Sequence, residues 1–134
     1  MSTATHLTNN EFGYLGNPLV KRDGVEQTFS QDELQEYIRC MNDPAYFANK
    51  YIKIINVNDG LIEFKPYEYQ SRMIEAMARN RFNVFATARQ AGKTTSVVAF
   101  MLWFILFHDS QVVALMANKG DTAREILGRV QLAY

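Results

Sequence analysis

The chain has 134 residues, the size of one domain, and 48% of them are hydrophobic, enough to build a core. Basic and acidic residues number 14 each, so the net charge is zero and no global field draws the chain to nucleic acid or a membrane; DNA contact would need a local patch or parts of a longer protein. Cys40 is the only cysteine, which rules out an internal disulfide and suits a reducing compartment; Met1 to Asn10 lacks a signal-peptide pattern, and the longest apolar run, Val97 to Phe107, falls short of the roughly 20 residues of a membrane span. These features predict a soluble, intracellular protein.

Residues 1–29 are polar, with turn signals at Asn17-Pro18 and Asp23-Gly24, and read as a poorly structured, extended arm whose Phe12, Tyr14, Leu15, Leu19 and Val20 could dock elsewhere. Ser30 and Glu33 form a capping box. Leu34, Tyr37, Ile38 and Met41 then recur at helical spacing and predict a core-facing stripe. Asn42-Asp43-Pro44 ends that helix and starts another, with Asp43 as N-cap and Pro44 in the first helical position; Tyr46 and Phe47 would face the core, with Tyr51 as a further candidate. Ile52 to Val57 and Leu61 to Phe64 flank Asn58-Asp59-Gly60 and predict a β-hairpin. A third helix opens at Lys65-Pro66 and runs to about Ala78, with Tyr69, Met73, Ile74 and Met77 on its apolar face. Gln70 lies on it. A glutamine amide can pair with N6 and N7 of adenine, but a solvated helix glutamine is equally compatible with the spacing.

Phe82 to Ala86 reads as a short strand, followed by a loop that ends in Gly92-Lys93-Thr94-Thr95 and by a nearly all-apolar helix from Ser96 to Phe107. Strand, loop, Gly-Lys-Thr and helix is the context of a phosphate-binding loop. A helix N-terminus offers free N–H groups and the positive end of the peptide dipole, and a wrapped loop aims more N–H groups at the same spot. Gly92 would let the backbone approach phosphate oxygens, Lys93 would supply a cation to the β/γ-phosphates of ATP, and the Thr94 hydroxyl suits Mg²⁺. Thr87 occupies the position that the strict pattern gives to its first glycine. His108 reads as a helix-end residue, Val112 to Ala117 as a second buried strand, and Thr122 to Tyr134 as an amphipathic helix with Ile126, Leu127, Val130 and Leu132 apolar.

The order β-α-β-α after the hairpin predicts an α/β fold with a parallel sheet and flanking helices, a partial P-loop NTPase core in residues 81–134 behind a helical and hairpin lead-in over 30–80. Hydrolysis also needs a carboxylate at the end of another strand, yet Asn118-Lys119 follow the second one. Two parallel strands alone leave an edge uncovered. The chain is therefore expected to be truncated at 134, the N-terminal piece of a longer protein or one half of an interrupted coding sequence.

At these residues the chain resembles the large terminase subunit of tailed bacteriophages, the ATPase of the DNA-packaging motor. Ala88-Arg89-Gln90-Ala91-Gly92-Lys93-Thr94-Thr95 is similar to that family's deviant Walker A, in which the first glycine is absent. Tyr69-Gln70 looks like its adenine-recognising glutamine motif, and Asp43 to Tyr51 and Asn58 to Phe64 resemble its N-terminal region. The likeness covers residues 30–134. It implies a RecA-like fold, with Gln70 on adenine, Arg89 near the phosphates as a γ-phosphate sensor, Lys93 on the β/γ-phosphates and Thr94 on Mg²⁺. Gln90, Ala91, Gly92 and Thr95 would complete the cradle, and Lys93 and Arg89 would be the catalytic pair. For the full-length protein it implies an ATPase with a DNA endonuclease domain, acting in the host cytoplasm on double-stranded DNA with the portal and the small terminase subunit. The family's Walker B acids, coupling motif and nuclease residues have no counterpart here, so nuclease activity is not assigned to this chain. A superfamily 2 helicase-like translocase also places a glutamine motif before Walker A. A non-catalytic regulatory or assembly module that keeps the fold is the remaining alternative.

Overall fold

A computed structural model describes residues 13–14, 17–21, 28–56 and 58–133. Phe12, Leu15, Asp23-Gly24, Val57 and Tyr134, to which the sequence assigns roles, lie outside the described residues. The chain divides into two units, Met1–Glu33 and Leu34–Tyr134. In the first, β1 (Gly13–Tyr14) pairs antiparallel with β2 (Asn17–Lys21), with Gly13 opposite Lys21 and Tyr14 opposite Asn17. Within the expected extended arm, the described residues thus include one short antiparallel pair. Ser30 and Glu33 form the expected capping box: the Glu33 N–H donates to Ser30 Oγ at 3.2 Å, and the Ser30 N–H donates to Glu33 Oε2 at 2.8 Å.

Helix α1 (Gln31–Asn42) ends where predicted, and α2 (Pro44–Tyr51) begins with Pro44 in its first turn. The Asp43 carboxylate accepts the Tyr46 N–H at 2.8 Å, as an N-cap should. The hairpin also forms, with β3 (Lys53–Asn56) antiparallel to β4 (Gly60–Glu63) and Ile54 opposite Ile62. Gly60, at φ 72°, supplies the left-handed residue that closes the turn. Helix α3 (Glu68–Arg79) starts at Glu68 rather than Lys65, and α4 (Lys93–Phe107) and α5 (Gly120–Ala133) follow.

The core of the second unit gathers Phe47 and Ala48 of α2, Ile52, Phe64, Ile74 of α3, and Ala99, Leu102 and Trp103 of α4 around Cys40. Burial of the Phe, Ile and Leu side chains among these stabilises by about 1.5–3 kcal/mol each. The indole N–H of Trp103 donates to the Cys40 carbonyl at 2.8 Å, so this aromatic is satisfied while buried. A second cluster joins Val98 and Met101 of α4 to Val130 of α5. An apolar cavity of about 310 Å³ lies between β3, α4 and α5.

On the α1–α2 side the Glu36 carboxylate accepts Lys50 Nζ at 2.7 Å, Tyr51 Oη at 2.9 Å and Tyr46 Oη at 3.1 Å. The Lys50 hydrogen bond, with smaller help from the two tyrosines, holds Glu36 down at about 2. Burial, reinforced by the charge of Glu36, pushes the Cys40 thiol up to about 11.

Three expectations change. Leu34, Tyr37, Ile38 and Met41 are each 43–48% exposed, because the side of α1 that meets the core carries Cys40. On α5 the buried side runs through Ala123, Ile126, Val130 and Ala133, leaving Leu127 and Leu132 exposed. The parallel sheet is not formed among the described residues: segments 82–88 and 111–117 make no ladder. Their exposure still alternates with period two. Val113 and Leu115 pack against the α4–α5 cluster, while Val112 and Met116 are 94% and 92% exposed. One face of 111–117 has found a helix layer, but a sheet also requires a neighbouring backbone, and among the described residues of this unit none pairs with either segment. The described fold is a small mixed domain of five helices with two-stranded antiparallel pairs.

Candidate nucleotide-binding loop

The loop from Thr87 to Gly92 joins the bare segment 82–88 to the first turn of α4. Gln90 and Gly92 both adopt left-handed backbone, at φ 61° and 68°. The second is free for glycine and the first is uncommon for a residue with a side chain. Gly92 is the N-cap of α4 and brings no side chain to cap it. The first N–H groups of an α-helix have no intrahelical partner, so those of α4 are left for an anion. The Gly92 carbonyl accepts both the N–H and the hydroxyl of Ser96, at 3.0 and 3.2 Å, which ties the loop end to the buried part of the helix.

Lys93 folds back over the loop. Its ammonium donates to the carbonyls of Thr87 at 3.2 Å and Ala88 at 3.0 Å. An ammonium has three protons, so one remains, and the carbonyls are partners that a phosphate oxygen can outcompete. Thr87 Oγ1 is buried with no hydrogen-bond partner among the described residues. Thr94 and Thr95 sit half-buried in the first turn of α4, and Thr95 also lines the apolar cavity. Arg89 and Gln90 are exposed, and among the described residues no ion pair holds Arg89.

Gln70 is neither solvated nor free. It is 4% exposed, its Oε1 accepts the Tyr67 N–H at 2.9 Å, and its Nε2 donates to the Ala91 carbonyl at 3.2 Å. The structure therefore joins Gln70 to Ala91 and Gly92, and Lys93 to Thr87 and Ala88, while Arg89 stands apart. Tyr69, which the sequence places on an apolar face and beside Gln70 in the resemblance to a glutamine motif but gives no contact of its own, donates its hydroxyl to the same Ala91 carbonyl at 2.9 Å. The available signal was its place beside Gln70 in the first turn of α3. Among the described residues no group of three or more His, Cys, Asp or Glu is placed to hold a metal, and no helix is long and apolar enough to cross a membrane. No protein-family model matches the chain.

Proposed function

We propose that residues 30–134 form the N-terminal ATPase segment of a large terminase subunit of a tailed bacteriophage. The observation that carries this reading is the contact of two motifs distant in sequence: Tyr69 and Gln70 both hydrogen-bond to the loop that ends in Gly92-Lys93-Thr94. A glutamine motif beside a Walker A loop would require this meeting, and that is what supports the reading.

The loop fits a nucleoside triphosphate in its chemistry. Uncapped N–H groups, a glycine where a Cβ would collide with its surroundings, a lysine bound only to carbonyls and a threonine hydroxyl in the first turn make one donor set for phosphate and its metal. Lys93 would neutralise charge on the β/γ-phosphates, Thr94 would hold Mg²⁺, and Arg89 is close enough in sequence to swing toward the terminal phosphate. Bound Mg²⁺ would offset phosphate charge. In the complete protein, acting in the host cytoplasm, hydrolysis would drive double-stranded DNA into a procapsid with the portal and small subunit as partners. Segments 82–88 and 111–117 would be two strands of a RecA-like parallel sheet, a reading supported by their period-two exposure.

Asn118 and Lys119 stand where a metal-holding carboxylate would follow the second segment, so the chain should bind ATP-Mg²⁺ without turning it over. Calorimetry tests the first part: Lys93→Ala should weaken ATP-Mg²⁺ binding by about ten- to a hundredfold, the loss of one charge-assisted contact. Equal binding by the variant, or sustained hydrolysis that Lys93→Ala abolishes, would overturn the reading as stated.

A further inference from the structure

The strongest unexplained feature of the loop is the Ala91 carbonyl. It accepts two hydrogen bonds, from Tyr69 Oη and Gln70 Nε2, and both donors belong to the first turn of α3. A carbonyl oxygen has two lone pairs, so its capacity is filled from one side. The orientation of the Gln70 amide is fixed by the same geometry. Its oxygen faces the Tyr67 N–H, and turning the amide over would set NH₂ against N–H and oxygen against the Ala91 oxygen. Gly92 closes the arrangement. A Cβ on it would lie 2.3 Å from Gln70 Nε2, so the glutamine occupies the space that any larger residue at 92 would need. Behind Gln70, Met73 and Ile74 anchor α3 in the core, which makes the support rigid.

We infer that Gln70 and Tyr69 are positioning residues that clamp the Ala91–Gly92 peptide of the phosphate loop, and that Gln70 does not read the base. Gln70 is 4% exposed and spends its amide oxygen on the Tyr67 N–H and one of its two N–H groups on the Ala91 carbonyl, so turning the amide toward adenine would break the contact at each end. The clamp holds Gly92 in its left-handed conformation and so directs the N–H groups at the start of α4. As a statement about ligands the assignment rests on the loop being a polyphosphate site; as a statement about the unliganded loop it does not.

Two measurements separate these. In the unliganded protein, amide NMR and hydrogen exchange are followed for wild type, Tyr69→Phe and Gln70→Leu, the last keeping the buried volume. Shifted resonances and faster exchange confined to residues 91–93 are expected; an unchanged loop in both variants would overturn the clamp. Binding of ATP, GTP and inorganic tripolyphosphate, each with Mg²⁺, is then compared by calorimetry. Gln70→Leu should weaken all three by the same factor, about tenfold. Loss for ATP alone, with tripolyphosphate unaffected, would make Gln70 a base reader and overturn the assignment. If wild type binds none of the three, the nucleotide reading fails, and the clamp is decided by the exchange data.

Discussion

The two sides of the candidate loop, from Thr87 to Gly92, are built differently. On the exit side, α4 goes straight into the core: Ser96, Val98, Ala99, Met101, Leu102 and Trp103 are all buried. On the entry side, Phe82 and Val84 are 83% and 97% exposed, and no ladder holds their backbone. Both stretches are strongly apolar, so hydrophobicity does not separate them. A helix satisfies its own backbone and needs only a surface to pack on. A strand needs a second backbone at its side before its apolar faces can be buried. The loop is consequently held from behind, by α4 and by the α3 residues that reach Ala91, rather than by the segment that leads into it.

The largest effect should come from the packed side. Trp103 is 6% exposed, touches Phe100 and Phe107 and donates to the Cys40 carbonyl. Trp103→Ala removes the ring and leaves that carbonyl unpaired, which should cost about 3–5 kcal/mol in urea unfolding. A loss below about 1 kcal/mol would mean that α4 is not the spine of the unit.

A smaller, pH-dependent effect belongs to the α1–α2 side of the same packed region. Glu36 is held at about 2 against its ordinary 4.5, first by the Lys50 hydrogen bond. Between those values the folded state binds fewer protons than the unfolded chain, so the stability from this carboxylate is complete above about 4.5 and is lost as the pH falls toward 2. Urea midpoints from pH 7 to 2.5 should fall for wild type, and Glu36→Gln should flatten part of that slope. Parallel curves for the two proteins would show that the cluster of Glu36, Lys50, Tyr46 and Tyr51 adds nothing to folding.

The contrast between the two sides also marks what can be read from sequence. Features decided within a few residues were legible: the Ser30–Glu33 box, the Asp43-Pro44 helix start and the Asn58-Asp59-Gly60 turn all act through local hydrogen bonds or fixed dihedrals. A loop leading into an apolar helix after Gly92 was legible for the same reason, since a glycine that can take a left-handed cap is a local property. Which side of α1 is buried was not, because Leu34 and Cys40 compete for a core supplied by α2 and α4. Nor was the role of Tyr69, whose partner lies 22 residues away. The parallel sheet was inferred from apolar runs, and such runs carry no information about which backbone lies alongside.

The smallest effects discriminate best on the bare side. Val112 and Val113 are neighbours of identical chemistry on opposite faces, one 94% exposed and the other packed against the α4–α5 cluster. Val112→Ser should change stability by no more than about 0.5 kcal/mol, whereas Val113→Ala should cost about 1 kcal/mol. Equal costs would mean that both faces are covered in solution, and the distinction between the two sides of the loop would disappear. Hydrogen exchange gives the matching backbone measurement. With no ladder to protect them, the amides of 112–116 should exchange far faster than those of 98–103 in α4. Slow exchange at 112–116 would require a strand paired alongside, and the stability of the loop would then have a second source on its entry side.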